Sequence, residues 1–179
     1  VSDPALEHSI PAGWFAGSAT LDLQKMLQKV IEHVAQSCGA KNLIFQGSSA
    51  GGFAAMQYSI SFPGSLSVAI NPQTNLSNHY PERVQPYLDA CWGGSLPDQT
   101  TAVTDLIHAY SKAFDNFILY VQNEHDTFHL ENHFHQWDRS FGDLRGERWN
   151  LLSGDWGTGH AAPPPFFQAA ILEYALTFD

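Results

Sequence analysis

Residues 42–53 read Asn-Leu-Ile-Phe-Gln-Gly-Ser-Ser-Ala-Gly-Gly-Phe, and this stretch decides the fold. A short apolar run leads directly into Gly47-Ser48-Ser49-Ala50-Gly51, a Gly-x-Ser-x-Gly pattern with Ser49 at its centre. The glycines allow a sharp turn from strand to helix, because only residues without a side chain fit where backbone segments come so close. Such a turn raises the serine hydroxyl above the end of a sheet, where a base and a substrate can reach it. The pattern predicts a nucleophilic Ser49, although a tight turn without chemistry has the same glycines.

The composition sets limits on the class of protein. The 179 residues predict one domain, residues 1–179, and the 44% hydrophobic content is enough for a sizeable core. A net charge of -10 argues against nucleic acid and anionic membranes as partners. No apolar run reaches the roughly 18 residues of a membrane span, and no signal peptide is visible at the start. We therefore expect a soluble protein without a membrane span, with the cytoplasm as the favoured compartment.

Helical and strand patterns alternate along the chain. Hydrophobic periodicity and Gly or Pro punctuation predict helices at residues 20–38, 52–62, 82–90, 100–114, 129–141 and 163–178. Short apolar runs predict strands at residues 43–46, 66–70, 117–121 and 149–152. Gly39 is placed to end the first helix. This alternation predicts an α/β fold with a mostly parallel sheet and helices on both faces.

A serine nucleophile needs a base and an acid, and the carboxyl ends of parallel strands are where functional groups gather. The third predicted strand is followed by Glu124 and Asp126, of which Asp126 is the favoured acid and Glu124 the alternative. Of nine histidines, His160 is the one that lies in a glycine-rich loop between the last strand and the last helix. The predicted triad is Ser49, Asp126 and His160. The alternatives are a solvated loop acid or helix cap at Asp126 and an ordinary loop histidine at His160.

This arrangement resembles the α/β-hydrolase family. The resemblance rests on the strand–Gly47-Ser48-Ser49-Ala50-Gly51–helix elbow, the later acid and the histidine after the last strand, and covers about residues 20–179. It implies that Ser49 attacks a substrate carbonyl, that His160 takes and returns the proton, and that Asp126 fixes the imidazole tautomer. It also implies that the backbone N–H of Ala50 is one oxyanion donor.

Two features of the family pattern are missing from the sequence. No segment before Ser49 resembles the loop that normally supplies the second oxyanion donor, and the family sheet has more strands than are predicted here. The chain is therefore expected to hold the C-terminal part of the usual sheet. The missing strands lie N-terminally, belong to another chain, or are truly absent. We expect an N-terminal segment or a second chain to complete the sheet beside residues 43–45, because a bare apolar strand edge invites aggregation.

Several other residues are weaker candidates. Trp14 and Trp156 are predicted to line a substrate pocket, although aromatic residues are more often core. Residues 73–97 form either a cap over the site or an ordinary long connection. His129 and His133 share a helix face as metal ligands would, but a polar face near the rim of the site is favoured, so we expect neither metal nor cofactor.

The favoured function is hydrolysis of a carboxylic ester through an acyl-enzyme on Ser49. The expected partner is a small-molecule ester or acyl substrate. An acyltransferase and a peptidase use the same acyl-enzyme, so the sequence leaves both open. A non-catalytic binding module on the same scaffold is the alternative from another class, because fold does not fix function.

Overall fold

The computed structural model describes residues 2–177, and its centre is a sheet of four parallel strands. The strands are β1 (Ile44–Ser48), β2 (Leu66–Ile70), β3 (Phe117–Asn123) and β4 (Trp149–Gly154). They lie in the order β1-β2-β3-β4, so each strand pairs with the one before it along the chain. The predicted α/β fold with a parallel sheet is confirmed. The carboxyl ends of all the strands meet at one edge, which is where the site lies.

The helices of the described chain are α1 (Leu23–Cys38), α2 (Ala50–Ser59), α3 (Pro81–Cys91), α4 (Leu106–Ala109), α5 (Thr127–His129), α6 (His135–Phe141) and α7 (Pro165–Ala175). A π-helical segment, Leu130–Phe134, joins α5 to α6 and gives a nearly continuous helical stretch, close to the predicted one. As predicted, α1 ends at Gly39, which has a φ of 63°. Residue 178 of the predicted last helix lies outside the described residues. No helix within residues 2–177 is both long and apolar enough to span a membrane.

The predicted helix at residues 100–114 is wrong for most of its length, because only α4 forms there. Side chains take the backbone groups that a longer helix would need. The Val103 N–H donates to Gln24 Oε1 at 2.9 Å, and the Thr104 and Asp105 N–H groups donate to Gln99 Oε1 at 3.1 and 3.2 Å. The Asp105 side chain then accepts from the Ile107 N–H and begins the short helix as its cap.

Apolar side chains are buried on both faces of the sheet. On one face, Val68 and Val121 pack with Ile171 of α7. On the other face, Phe53 of α2 and Trp137 of α6 join a larger cluster that contains Tyr120. Helices therefore cover both faces, as predicted, and the sheet is held rigidly enough to position side chains at its carboxyl edge.

One side of the described structure is less well covered. Met26, Val30 and Val34 form an apolar stripe on α1, and each is about half exposed, at 50%, 49% and 52%. Strand β1 has β2 on one side, and no other strand within residues 2–177 pairs with its second edge. The expectation that a further segment or a second chain completes the sheet concerns this edge, and it stays a prediction.

Candidate active site

Ser49 lies at the turn between β1 and α2 in a strained backbone conformation, with φ 57° and ψ -119°. Residues other than glycine rarely adopt a positive φ, at a cost of about 1–3 kcal/mol. The turn is tight, since a Cβ on Gly47 would lie 2.0 Å from the carbonyl oxygen of Gly51. A Cβ on Gly52 would lie 2.9 Å from the Cβ of Pro72. The glycine pattern thus forms the expected elbow, with Ser49 at the mouth of a cavity.

Asp126 and His160 come together at the carboxyl edge of the sheet. The His160 Nδ1 lies 2.5 Å from Asp126 Oδ2. An ionised carboxylate only accepts hydrogen bonds, so this contact places a proton on Nδ1 and leaves Nε2 free to act as a base. Asp126 follows β3 and is 3% exposed, whereas Glu124 is exposed and accepts a hydrogen bond from Ser153. The predicted acid and histidine therefore have the mutual geometry that general base catalysis needs.

Ser49 and His160 line the same cavity, but no direct hydrogen bond joins them within the described residues. Catalytic hydrogen bonds are often long before substrate binds and tighten in the complex. Instead, a series of hydrogen bonds links Ser49 to Gln73, Gln73 to His129, and His129 to Asp126.

His129 shares the carboxylate with His160. Its Nδ1 lies 3.0 Å from Asp126 Oδ1, and its ring stacks on the His160 ring with centroids 3.9 Å apart and planes at 17°. The Asp126 side chain also caps α5 by accepting from the His129 N–H. Sequence reasoning placed His129 on a polar helix face and missed this contact. The spacing of three residues between Asp126 and His129 at a helix start was a signal for it.

Gln73 is the second residue that sequence reasoning missed. Its Nε2 donates to Ser49 Oγ at 2.7 Å, and its Oε1 accepts from the Trp14 indole N–H at 2.9 Å. Its backbone N–H also points at the Ser49 carbonyl oxygen, at 3.4 Å. The available signal was position, because Gln73 follows the carboxyl end of β2, where functional groups gather in a parallel sheet.

The cavity has a volume of about 440 Å³, within the usual range for small-ligand sites. Its lining includes Ala50, Trp14, Tyr80, Phe128 and Arg83. The segment predicted as a cap, residues 73–97, contributes part of this wall, and its role as a cap stays a prediction.

The two tryptophans predicted to bind substrate lie in different places. Trp14 is 2% exposed, has a φ of 54° and lines the cavity. Trp156 packs against Phe167 and close to Gly154, and it is not among the lining residues of this cavity. The structure therefore brings Trp14 to the site and leaves Trp156 outside the cavity wall.

Burial and hydrogen bonding set the charges of the site. Burial opposes ionisation of Asp126, but the hydrogen bonds from His129 and His160 outweigh it and hold the pKa of this carboxyl well below its usual range. Burial also lowers the pKa of His129, against the opposing effect of Asp126. Burial, aided by neighbouring histidines, lowers the pKa of His79 to about 4 and that of His133 to about 3. The acid is therefore ionised near neutral pH, and these three histidines are neutral.

Within residues 2–177, two groups of side chains are close enough to be considered as metal ligands, with ligand atoms within 4.8 Å of one another. In the first group, formed by His79, His129 and His133, the hydrogen bonds do not suit a metal. His133 Nδ1 accepts from the Thr74 N–H at 3.1 Å, so the proton of the neutral ring is on Nε2, the atom that would face the ion. The second group is Asp126 with His129 and His160, whose Nδ1 atoms carry protons toward the carboxylate.

The sheet and the elbow define an α/β-hydrolase-type fold, and solved structures agree with this. The chain is similar to a capsule O-acetyltransferase of Neisseria meningitidis serogroup A, with a TM-score of 0.62 and 16% identity over 92% of this chain and 66% of that one. It is similar to an S-formylglutathione hydrolase from Agrobacterium tumefaciens, with a TM-score of 0.57 and 17% identity over 94% of this chain and 64% of that one.

A third match is a protein described as a dipeptidyl aminopeptidase IV from Bacteroides ovatus, with a TM-score of 0.67 and 13% identity over 96% of this chain and 24% of that one. No protein-family model and no curated protein matches the chain. The chain thus spans 66% of the length of the acetyltransferase, and identities this low establish the fold alone.

Proposed function

We propose that this chain is a serine hydrolase that cleaves a carboxylic ester of modest size through an acyl-enzyme on Ser49. The observation that supports it most is the hydrogen bond between His160 Nδ1 and Asp126, beside a cavity that also contains the strained Ser49. A buried carboxylate, an oriented imidazole and a serine on an elbow are the parts that nucleophilic catalysis requires.

The chemistry follows from these positions. As Ser49 Oγ attacks the ester carbonyl, its proton passes to His160 Nε2, and the carbonyl π electrons move onto oxygen to form an oxyanion. The intermediate collapses, the bond to the alcohol oxygen breaks, and the leaving alkoxide takes the proton from His160. Water then repeats the sequence on the acyl-enzyme and releases the carboxylic acid. Asp126 stays ionised and stabilises the imidazolium at each stage.

The test is covalent labelling of Ser49 by a fluorophosphonate, read by peptide mass spectrometry, together with turnover of p-nitrophenyl acetate. We expect labelling of the native chain, none of Ser49→Ala, and loss of turnover in Ser49→Ala and His160→Ala. Ser48→Ala is the matched control, because this exposed serine is the neighbour of Ser49 in the same motif. Undiminished turnover in Ser49→Ala, or no labelling of the native fold, would overturn the proposal. Only the absence of both labelling and turnover in the native chain would favour a non-catalytic binding module.

Acyl transfer is the second candidate, and the similarity to an O-acetyltransferase over 92% of the chain supports testing it. The acyl-enzyme is the same, but an alcohol replaces water in the second half of the reaction. Turnover in the presence of competing alcohols, with the products resolved by chromatography, separates the two. A new ester formed in preference to the free acid would identify a transferase, and cleavage of peptide substrates would identify a peptidase.

A further inference from the structure

The Gln73 side chain contacts the proposed nucleophile Ser49, and the proposed roles of Ser49, Asp126 and His160 do not explain this contact. Its side chain is 1% exposed, and its Nε2 lies 2.7 Å from Ser49 Oγ and 3.1 Å from His129 Nε2. We infer that the Gln73 amide is the second donor to the oxyanion, beside the backbone N–H of Ala50. This inference rests on the proposed acyl-enzyme at Ser49, and it gives a source for the donor that the sequence lacked.

The orientation of the amide follows from its partners. An indole N–H can only donate, so the amide atom 2.9 Å from Trp14 Nε1 must be the oxygen. The amino group of Gln73 therefore faces Ser49 and His129, with one hydrogen for each. Trp14 is itself buried, so this orientation is fixed by the core of the protein and does not depend on solvent.

His129 completes the arrangement from the other side. Its Nδ1–H donates to Asp126, so in the neutral ring Nε2 carries a lone pair and accepts the second hydrogen of the Gln73 amide. Burial keeps this ring in the neutral form. The amide is thus held by a donor at its oxygen and an acceptor at its nitrogen, and its remaining N–H points at the reacting atoms.

The Gln73 amide lies close to where negative charge develops when Ser49 Oγ attacks the substrate carbonyl. The negative charge forms on the carbonyl oxygen, which is two bonds from Ser49 Oγ in the tetrahedral intermediate, so a donor that already reaches Oγ lies close to the new charge. Ala50 is the first residue of α2, where backbone N–H groups have no partner within the helix. Preorganised donors of this kind lower the barrier because they need no rearrangement when charge appears.

The experiment compares three variants. Gln73→Glu keeps the shape but replaces the amino donor with a carboxylate oxygen. Trp14→Phe keeps a large aromatic in the core but removes the N–H that fixes the amide. Gln36→Glu is the matched control, because the same chemical change falls on an exposed position of α1 that does not line the cavity.

For Gln73→Glu we expect kcat for p-nitrophenyl acetate to fall about 10²- to 10³-fold with little change in KM, as when one oxyanion donor is removed. For Trp14→Phe we expect about a fivefold loss, since one neutral hydrogen bond is lost. Binding of an alkyl trifluoromethyl ketone, which forms a tetrahedral adduct on serine, should weaken in parallel with kcat/KM. Gln36→Glu should match the native protein in all three measurements.

The inference is overturned if Gln73→Glu keeps kcat within twofold, or if kcat falls while the ketone binds as tightly as before. Circular dichroism of each variant identifies misfolding, and Trp14→Phe provides the comparison if Gln73→Glu does not fold. Failure here is distinct from failure of the proposed function. If the native chain is labelled at Ser49 and Gln73→Glu is labelled at the same rate, only the role of Gln73 is lost.

Discussion

Asp126 accepts hydrogen bonds from two histidine rings that stack on each other. His160 Nδ1 contacts Oδ2, and His129 Nδ1 lies between the two oxygens, 3.0 Å from Oδ1 and 2.9 Å from Oδ2. This arrangement fixes the tautomers of both rings, so a single carboxylate orients the proposed base and, through His129, the Gln73 amide. The pairing of Asp126 with His160 was predictable from the sequence, because each residue follows a strand. For Gln73 and His129 the sequence held only a position after β2 and a spacing of three from Asp126, which do not reveal contacts with residues such as Trp14, 59 positions away from Gln73.

At this scale we predict that Asp126→Asn lowers kcat/KM about 10³- to 10⁴-fold with little loss of fold. An amide replaces one carboxylate oxygen with an N–H donor, so a ring that faces this group can no longer donate from Nδ1 and takes the wrong tautomer. Glu124→Gln is the control, since this exposed acid contacts Ser153 outside the cavity. Ester turnover measures both, and equal losses in the two variants would contradict the assignment.

The elements of the sheet were predictable because each strand is a short apolar run bounded by turn residues. All four strands formed at the expected places. Strand β2 has the predicted bounds, β3 and β4 each end two residues later, and β1 begins one residue later and ends two residues later. The segment before α4 was not predictable, because Gln24 and Gln99 take its backbone groups and neither contact leaves a periodic pattern in the sequence. Side-chain to backbone bonds of this kind compete with helix formation.

At the scale of the elements, we predict that Gly47→Ala lowers the free energy of unfolding by about 3 kcal/mol or more. The new Cβ would lie 2.0 Å from the Gly51 carbonyl oxygen, and backbone cannot yield as a flexible side chain would. Gly142→Ala is the matched control. Gly142 has a φ of -56°, and a Cβ at this position would lie 4.0 Å from its nearest neighbour, Asp138 Oδ1. This control should change stability by less than about 1 kcal/mol, in the stabilising direction. Urea denaturation measures both, and similar losses would contradict the account of the elbow.

For the whole molecule, the buried histidines couple stability to pH. Burial lowers the pKa of His133 to about 3 and of His79 to about 4, whereas in the unfolded chain both titrate near 6.5. Between these values the unfolded state binds more protons than the folded state. The stabilisation is therefore fully present above about pH 6.5 and is lost as pH falls toward the folded values.

We predict that the free energy of unfolding falls between pH 6.5 and 4.5, by up to about 1.4 kcal/mol per pH unit for His133. Most carboxyl groups stay ionised in this window, so Asp126 does not confuse the result. His133→Gln keeps an acceptor for the Thr74 N–H but cannot titrate, so it should reduce the slope and leave only the contribution of the other buried histidines such as His79. His33→Gln, at an exposed position of α1, should leave the pH dependence of the free energy of unfolding unchanged. An unchanged slope in His133→Gln would show that another group is responsible.

The strand order β1-β2-β3-β4 has a consequence for biosynthesis. During synthesis from the N-terminus, each new strand can pair with the exposed edge of the strand made just before it, so no later strand has to insert between two earlier ones. Ser49 would be in place after β1 and β2, Asp126 only after β3, and His160 only after β4. A ribosome-bound chain would therefore carry a formed elbow without its proposed base, and reactivity at the serine would appear only after β4 and the loop that contains His160 have been made.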